Sequence, residues 1–185
     1  DGYLKRFPSH LSLFDVDSKK EEPLTGGPYD ETQPSWSPDG RLIAFVSNRS
    51  QPDPDRSVDT NIFTIEARPG AEPRQVTTRP GHDEGRPSWS PDGQWIAYYQ
   101  GDEAKYAAYE LNKLAVAPAA GGAAKLLTPA LDRSGQGDIV WAADGKSLSF
   151  VVEDDRASYV ARVPAGGGEV EKLTTGRRTV QFLRA

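Results

Sequence analysis

The apolar residues of this chain gather into short, nearly unbroken runs. Leu42 to Val46, Ile96 to Tyr99 and Leu148 to Val152 are apolar at consecutive positions rather than merely alternate ones, save for Ser149. A run of that length bounded by turn residues predicts a β-strand buried on both faces. The same block stands ahead of each run. Ser35-Trp36-Ser37-Pro38-Asp39-Gly40 precedes the first and Ser88-Trp89-Ser90-Pro91-Asp92-Gly93 the second. A worn copy, Val140-Trp141-Ala142-Ala143-Asp144-Gly145, precedes the third. Asp-Gly predicts a hairpin turn, because Gly accepts the positive φ that a tight turn requires. Pro suits the start of such a turn through its fixed φ.

The pattern after each run repeats as well. A third strand is predicted at Ile62 to Glu66, Leu114 to Ala117 and Tyr159 to Val163, each followed by a Gly-rich turn. A fourth closes on Val76-Thr77, Leu127-Thr128 or Leu173-Thr174, and Leu24-Thr25 ends an earlier one. Trp36, Trp89 and Trp141 lie 53 and 52 residues apart. A fixed period of this size marks supersecondary units stacked side by side. Four-stranded antiparallel units buried on both faces are the blades of a β-propeller. A two-sheet sandwich also has many short strands, but has no reason to repeat one motif at constant spacing.

The expected architecture is therefore all-β, a propeller fragment of about three complete blades with partial blades at each end. Residues 1–25 read as the end of one blade, 26–77, 78–128 and 129–174 as whole blades, and 175–185 as the start of the next. Within the first piece, His10 to Val16 reads as a strand and Asp17 to Glu22 as a polar turn; Thr179 to Leu183 reads as the first strand of a later blade. Glu103 to Leu114, rich in Ala, Tyr and Leu, reads as an inserted loop able to hold a short helix. Closed propellers need about four to eight blades, and an open arc exposes strand edges that invite pairing. Together with the lack of any Met, this leads us to expect an internal slice of a larger propeller, prone to self-association.

Composition narrows the function. Among 185 residues the net charge is −5 and the basic residues are scattered, unlike the clustered Lys/Arg face of a nucleic-acid binder. No apolar run approaches the roughly 18 residues of a membrane span. Without Cys, disulfides and thiolate metal sites are excluded. The acidic stretch Asp53-Pro54-Asp55 to Asp59 lacks the alternating ligands and mid-loop Gly of a calcium loop. The glycines at Gly121 and Gly166 follow strands without opening helices, so they are hairpin turns rather than phosphate cradles. No metal or cofactor is implied.

Catalytic residues are likewise not in view. His10 and His82 read as a strand-edge and a loop histidine, and no G-x-S-x-G elbow occurs, so the chain by itself is expected to be inert. Function would sit on the propeller axis, where the strands ahead of each Trp point polar residues at a central channel. These are Asp30, Glu31 and Gln33, then Asp83, Glu84 and Arg86, then Arg133, Gln136 and Asp138. Asp83, Glu84, Arg86 and Arg133 are the candidates for screening substrates by charge, or for pairing with a peptide terminus. Trp36, Asp39, Gly40, Trp89, Asp92, Gly93, Trp141, Asp144 and Gly145 are the structural repeat, each Trp being assigned to the blade interior.

The Trp-Ser-Pro-Asp-Gly block followed by Ile-Ala-Phe or Ile-Ala-Tyr resembles the repeat of two groups of propellers. One is the TolB-like periplasmic propellers; the other is the N-terminal propeller of prolyl oligopeptidase family serine peptidases. The extended segment from Ser47-Asn48-Arg49 to Asp59-Thr60-Asn61-Ile62-Phe63 looks like the acylaminoacyl peptidase branch of the second, as does Leu114-Ala115-Val116-Ala117 with its Gly-Gly turn. That resemblance implies an α/β-hydrolase domain elsewhere in the parent protein, carrying Ser, Asp and His. The propeller would restrict entry to short peptides in a cytoplasmic enzyme. The TolB-like alternative implies a periplasmic scaffold that binds partner proteins without chemistry, and a ligand-binding propeller is a third, weaker reading.

Overall fold

The structure, a computed structural model, describes residues 7–50, 57–102, 111–180, 183 and 184. No helix is present among them. The first two strands, β1 (Ser12–Asp15) and β2 (Lys20–Pro23), form a two-stranded antiparallel sheet. Three four-stranded antiparallel meanders follow. The first is β3 (Glu31–Trp36), β4 (Leu42–Ser47), β5 (Asn61–Glu66) and β6 (Arg74–Gln75). The second is β7 (Asp83–Trp89), β8 (Trp95–Gln100), β9 (Lys113–Pro118) and β10 (Lys125–Leu126). The third is β11 (Gly135–Trp141), β12 (Ser147–Asp154), β13 (Ala157–Pro164) and β14 (Glu171–Lys172). Because β7 packs against β3 on one side and β11 on the other, these three strands form the inner edge of the stack.

The Ser-Pro-Asp-Gly block owes its recurrence to a small hydrogen-bonded network. Ser37 Oγ donates to Asp39 Oδ1 at 2.7 Å and accepts from the Leu42 amide at 2.9 Å, and Asp39 Oδ1 accepts from the Arg41 amide. Ser90, Asp92, Trp95 and Gln94 repeat this arrangement. Gly40, Gly93 and Gly145 all sit at φ 69°, a value that costs a side chain strain. The serine hydroxyls hold Asp39 and Asp92 below the usual carboxylate range. In the worn copy Asp144 still accepts from the Lys146 amide, but Ala142 has no hydroxyl. Successive turns lie side by side, so that a Cβ added at Gly93 would meet Pro38 and one added at Gly145 would meet Pro91.

Two-sided burial of the central strands divides the core into three layers. On β4, Ile43 and Phe45 join Leu11, Leu24, Phe63 and Ile65, whereas Ala44 and Val46 face the other way onto Trp89, Ile96 and Tyr98. On β8, Ile96 and Tyr98 belong to that second layer while Ala97 and Tyr99 join Leu148, Phe150 and Val152 in the third. Period-two alternation inside an all-apolar run therefore feeds two cores at once. Each fully buried aliphatic or aromatic side chain contributes roughly 1.5–3 kcal/mol.

Trp89 and Trp141 tie neighbouring blades together. Their indole N–H groups donate to the carbonyls of Ser35 (3.1 Å) and Ser88 (3.0 Å) on the preceding inner strand. Trp36 departs from the expected interior position. It is 55% exposed where the other two are 8%, because the β1–β2 hairpin covers only the outer part of its blade. At the outer rim, Arg74 donates to the Ala119 and Ala120 carbonyls of the next blade and Lys125 to that of Gly166.

Some strand limits also differ from expectation. Lys20 to Glu22 lie in β2 rather than in a turn. The outer strands end before the Leu-Thr pairs, whose hydroxyls instead accept the amides of Leu11, Ile62, Leu114 and Val160. Of the insertion expected over Glu103 to Leu114, Lys113 and Leu114 open β9 rather than a helix. Residues 103–110 lie outside the described residues, as do the acidic residues 53–55. So do 181 and 182, in the stretch expected to begin a further blade. On either side of that pair, the Val180 amide donates to Ser158 and the Leu183 amide to Asp138, both on the third blade.

Candidate functional site

Each inner strand loses register with its neighbour at one place, between Thr32 and Ser35, Glu84 and Ser88, and Gln136 and Ile139. A left-handed residue sits in every gap: Gln33 (φ 56°), Gly85 (φ 77°) and Gly137 (φ 69°). Such bulges bend a strand and re-aim its side chains. Here they converge on a cavity of about 420 Å³ lined by Gln33, Glu84, Arg86, Tyr99, Gln136 and Asp138, with Arg184 from the C-terminal segment. Three blades thus contribute to one polar concavity.

Its floor is built on Tyr99. The ring lies between Gly85 and Gly135, where an added Cβ would come within 2.7 Å and 2.5 Å of ring carbons, so only glycine fits. The hydroxyl donates to the Gln136 carbonyl at 2.9 Å. The acidic groups of the cavity are already engaged. Glu84 accepts from Asn112 and lies 3.7 Å from His82 Nε2. Asp138 accepts from Arg184 at 2.6 Å and from the Leu183 amide, and the Arg184 guanidinium holds it below the usual carboxylate range. Arg86 is tied down through Nε, which donates to the Pro34 carbonyl across the blade boundary at 3.2 Å.

The expected channel residues divide into two groups. Gln33, Glu84, Arg86, Gln136 and Asp138 line the cavity; Glu31 and Asp83, the first residues of β3 and β7, do not. Glu31 is 3% exposed and accepts from Arg49 (2.9 Å), His10 (2.9 Å) and Thr25 (2.8 Å). Arg49 in turn stacks over Phe63 and Tyr29. Asp83, 1% exposed, has a carboxylate oxygen without a hydrogen-bond partner. Burial pushes its pKa up to about 7, with Thr77 and Arg79 pulling the other way. Both acids point inward because the first inner-strand position faces the neighbouring blade. Arg133 pairs instead with Asp154 (3.0 Å) and Asp132 (3.5 Å), away from the cavity, and Asp30 accepts from the Ser9 amide.

Asp59, the described end of the acidic stretch, accepts from the Gly81 amide. No group of three potential metal ligands occurs among the described residues. Tyr99 and Arg184 were not anticipated as lining residues. The run Tyr98-Tyr99 reads as core, and it is the bulge of the same blade at Gly85, with Gly135 of the next blade, that sets the buried Tyr99 ring against the cavity.

No protein-family model matches the chain. An uncharacterised peptidase, YuxL of Bacillus subtilis, is 34% identical over 90 residues, 49% of this chain and 12% of its own length. Dipeptidyl-peptidase 5 of Porphyromonas gingivalis is 29% identical over 145 residues, 77% of this chain and 21% of its own. The Tol-Pal system protein TolB of Alcanivorax borkumensis is 34% identical over 90 residues, 49% of this chain and 19% of its own. Among solved structures, a puromycin-hydrolysing peptidase of Mycobacterium tuberculosis superposes with a TM-score of 0.69 at 18% identity, over 93% of this chain and 28% of the other. A TolB-like protein of Agrobacterium tumefaciens gives 0.66 at 21%, over 93% and 56%. The β-propeller domain of the Trilobed protease of Pyrococcus furiosus gives 0.58 at 18%, over 89% and 46%. This chain is a β-propeller segment. Its relatives are peptidases and TolB, and it spans about a fifth or less of the length of each relative matched in sequence.

Proposed function

We propose that this chain is a non-catalytic propeller segment of a serine peptidase of the prolyl oligopeptidase family, of the acylaminoacyl peptidase-like branch. On this reading it governs the access of short peptides to an α/β-hydrolase domain of the same protein. The observation that carries the reading is the polar cavity at the inner edge, built by one bulge from each of three blades. A peptide threading the axis would meet Gln33, Glu84, Arg86 and Gln136 first, and their hydrogen-bonding groups suit a peptide backbone. Glu84 and Arg86 are the gating residues on this view, while Asp83 and Arg133 shape the blades. The enzyme is placed in the cytoplasm as part of the proposal.

The test uses the full-length protein. Labelling by a fluorophosphonate and cleavage of short peptides in preference to long ones of the same composition is the expected outcome. A full-length protein that takes no label and cleaves no peptide would overturn it. A second reading, a TolB-like scaffold in the periplasm, is favoured by the match to TolB, equal in identity and length to the match to YuxL. Capture of a defined protein partner by an unlabelled full-length protein would support that alternative.

A further inference from the structure

The charged groups around the cavity are unequally committed. Glu84 is held by Asn112 and His82, and Asp138 by Arg184 and the Leu183 amide. Arg86 donates through Nε to the Pro34 carbonyl and helps Arg184 hold Asp138 below the usual carboxylate range, while its own side chain stays exposed on the cavity wall. Gln33 from the first blade and Gln136 from the third flank it with side-chain amides. A guanidinium anchored at one edge presents a parallel pair of N–H donors, the geometry that matches a carboxylate. Flanking amides offer both donors and acceptors, which suit the alternating groups of a peptide backbone. The volume of about 420 Å³ lies within the roughly 300–1,000 Å³ of small-ligand sites.

From this placement we propose that the cavity is a carboxylate-binding site for peptides, with Arg86 receiving the terminal carboxylate and Gln33 and Gln136 receiving the adjoining peptide groups. The inference rests on the gating reading above and deepens it. The gate prefers peptides presenting a free C-terminus, rather than merely narrow ones. Bridging the first and third blades through one ligand also puts Arg86, on the middle blade, at the centre of the contact.

The experiment measures binding to the 185-residue chain without turnover, using isothermal titration. The probes are N-acetyl-tetraalanine with a free C-terminal carboxylate, the same peptide as a C-terminal amide, and inorganic phosphate. The acid is expected to bind about tenfold or more tighter than the amide, the factor for one hydrogen-bonded charge pair. That preference should disappear in Arg86→Gln, return in part in Arg86→Lys and persist in Arg133→Gln, which lies outside the cavity. Equal binding of acid and amide, a preference that survives Arg86→Gln, or phosphate binding tighter than the peptide acid would each overturn the proposal. Arg86 is exposed, so its variants leave the core packing alone, and circular dichroism checks the fold. A full-length protein that hydrolyses peptides but shows no acid preference removes this inference alone. One that binds the acid yet takes no fluorophosphonate label removes the peptidase reading alone.

Discussion

The first and second blades carry the same block, the same turn and nearly the same spacing, yet their key side chains sit in different surroundings. Trp89 is buried and bonded to the Ser35 carbonyl, whereas Trp36 is exposed. Glu31 is enclosed by Arg49, His10 and Thr25, whereas Asp83 occupies the corresponding position one methylene shorter, with an oxygen left without a partner. The residue where the first blade has Arg49 is Asp102 in the second, as the strand register aligns Ser47 with Gln100. A repeat therefore sets the positions, and the neighbouring blade sets what each position is worth.

The largest effect that separates the two blades should come from the tryptophans. Trp89→Ala removes a buried indole and its staple and should cost about 3–5 kcal/mol in urea unfolding, while Trp36→Ala should cost less than about 1 kcal/mol. Equal losses would show that Trp36 is covered in solution, as by a second copy of the chain.

Next come the two buried acids, with opposite signs. Glu31→Gln strips Arg49 of its partner and should destabilise by about 3 kcal/mol. For Asp83 the folded pKa of about 7 lies above the ordinary 3.8, so the folded state holds the proton more tightly. The associated stability is full below the unfolded value and is lost as pH rises from near 4 to near 7. Asp83→Asn should remove that slope and stabilise the chain at pH 8 by on the order of 2 kcal/mol. Thermal melts from pH 5 to pH 8 give the answer, and an unchanged slope in the variant would show that Asp83 is ionised throughout. The smallest effect concerns the turn network. Ser90→Ala should cost about 1 kcal/mol, and Ala142→Ser, which supplies the missing hydroxyl beside Asp144, should recover a similar amount. No gain in the third blade would mean that the network depends on the preceding Pro as well.

The fold was legible because its signals are local. An Asp-Gly turn, a run apolar at consecutive positions and a closing Leu-Thr each depend on a few adjacent residues, and their repetition confirms them. The cavity was legible only in part. Gln33, Glu84, Arg86, Gln136 and Asp138 follow from lying ahead of each Trp. Glu31 and Asp83 lie there too and turn the other way, because side chains alternate along a strand and the bulges shift the phase at positions that no residue type announces. Gln33 takes a left-handed conformation without being glycine, which the sequence does not flag.

Pattern and spacing by themselves determined that the chain is all-β, that it repeats, and which residues make its turns, since short-range sterics and hydrogen bonding govern all three. Tertiary structure alone decided which Trp is buried, which acid has a partner and which arginine faces the cavity. The tryptophans and Arg86 depend on a backbone carbonyl 52–54 residues away, brought near by the stacking of one blade on the next, and Glu31 on Arg49 and His10, 18 and 21 residues away.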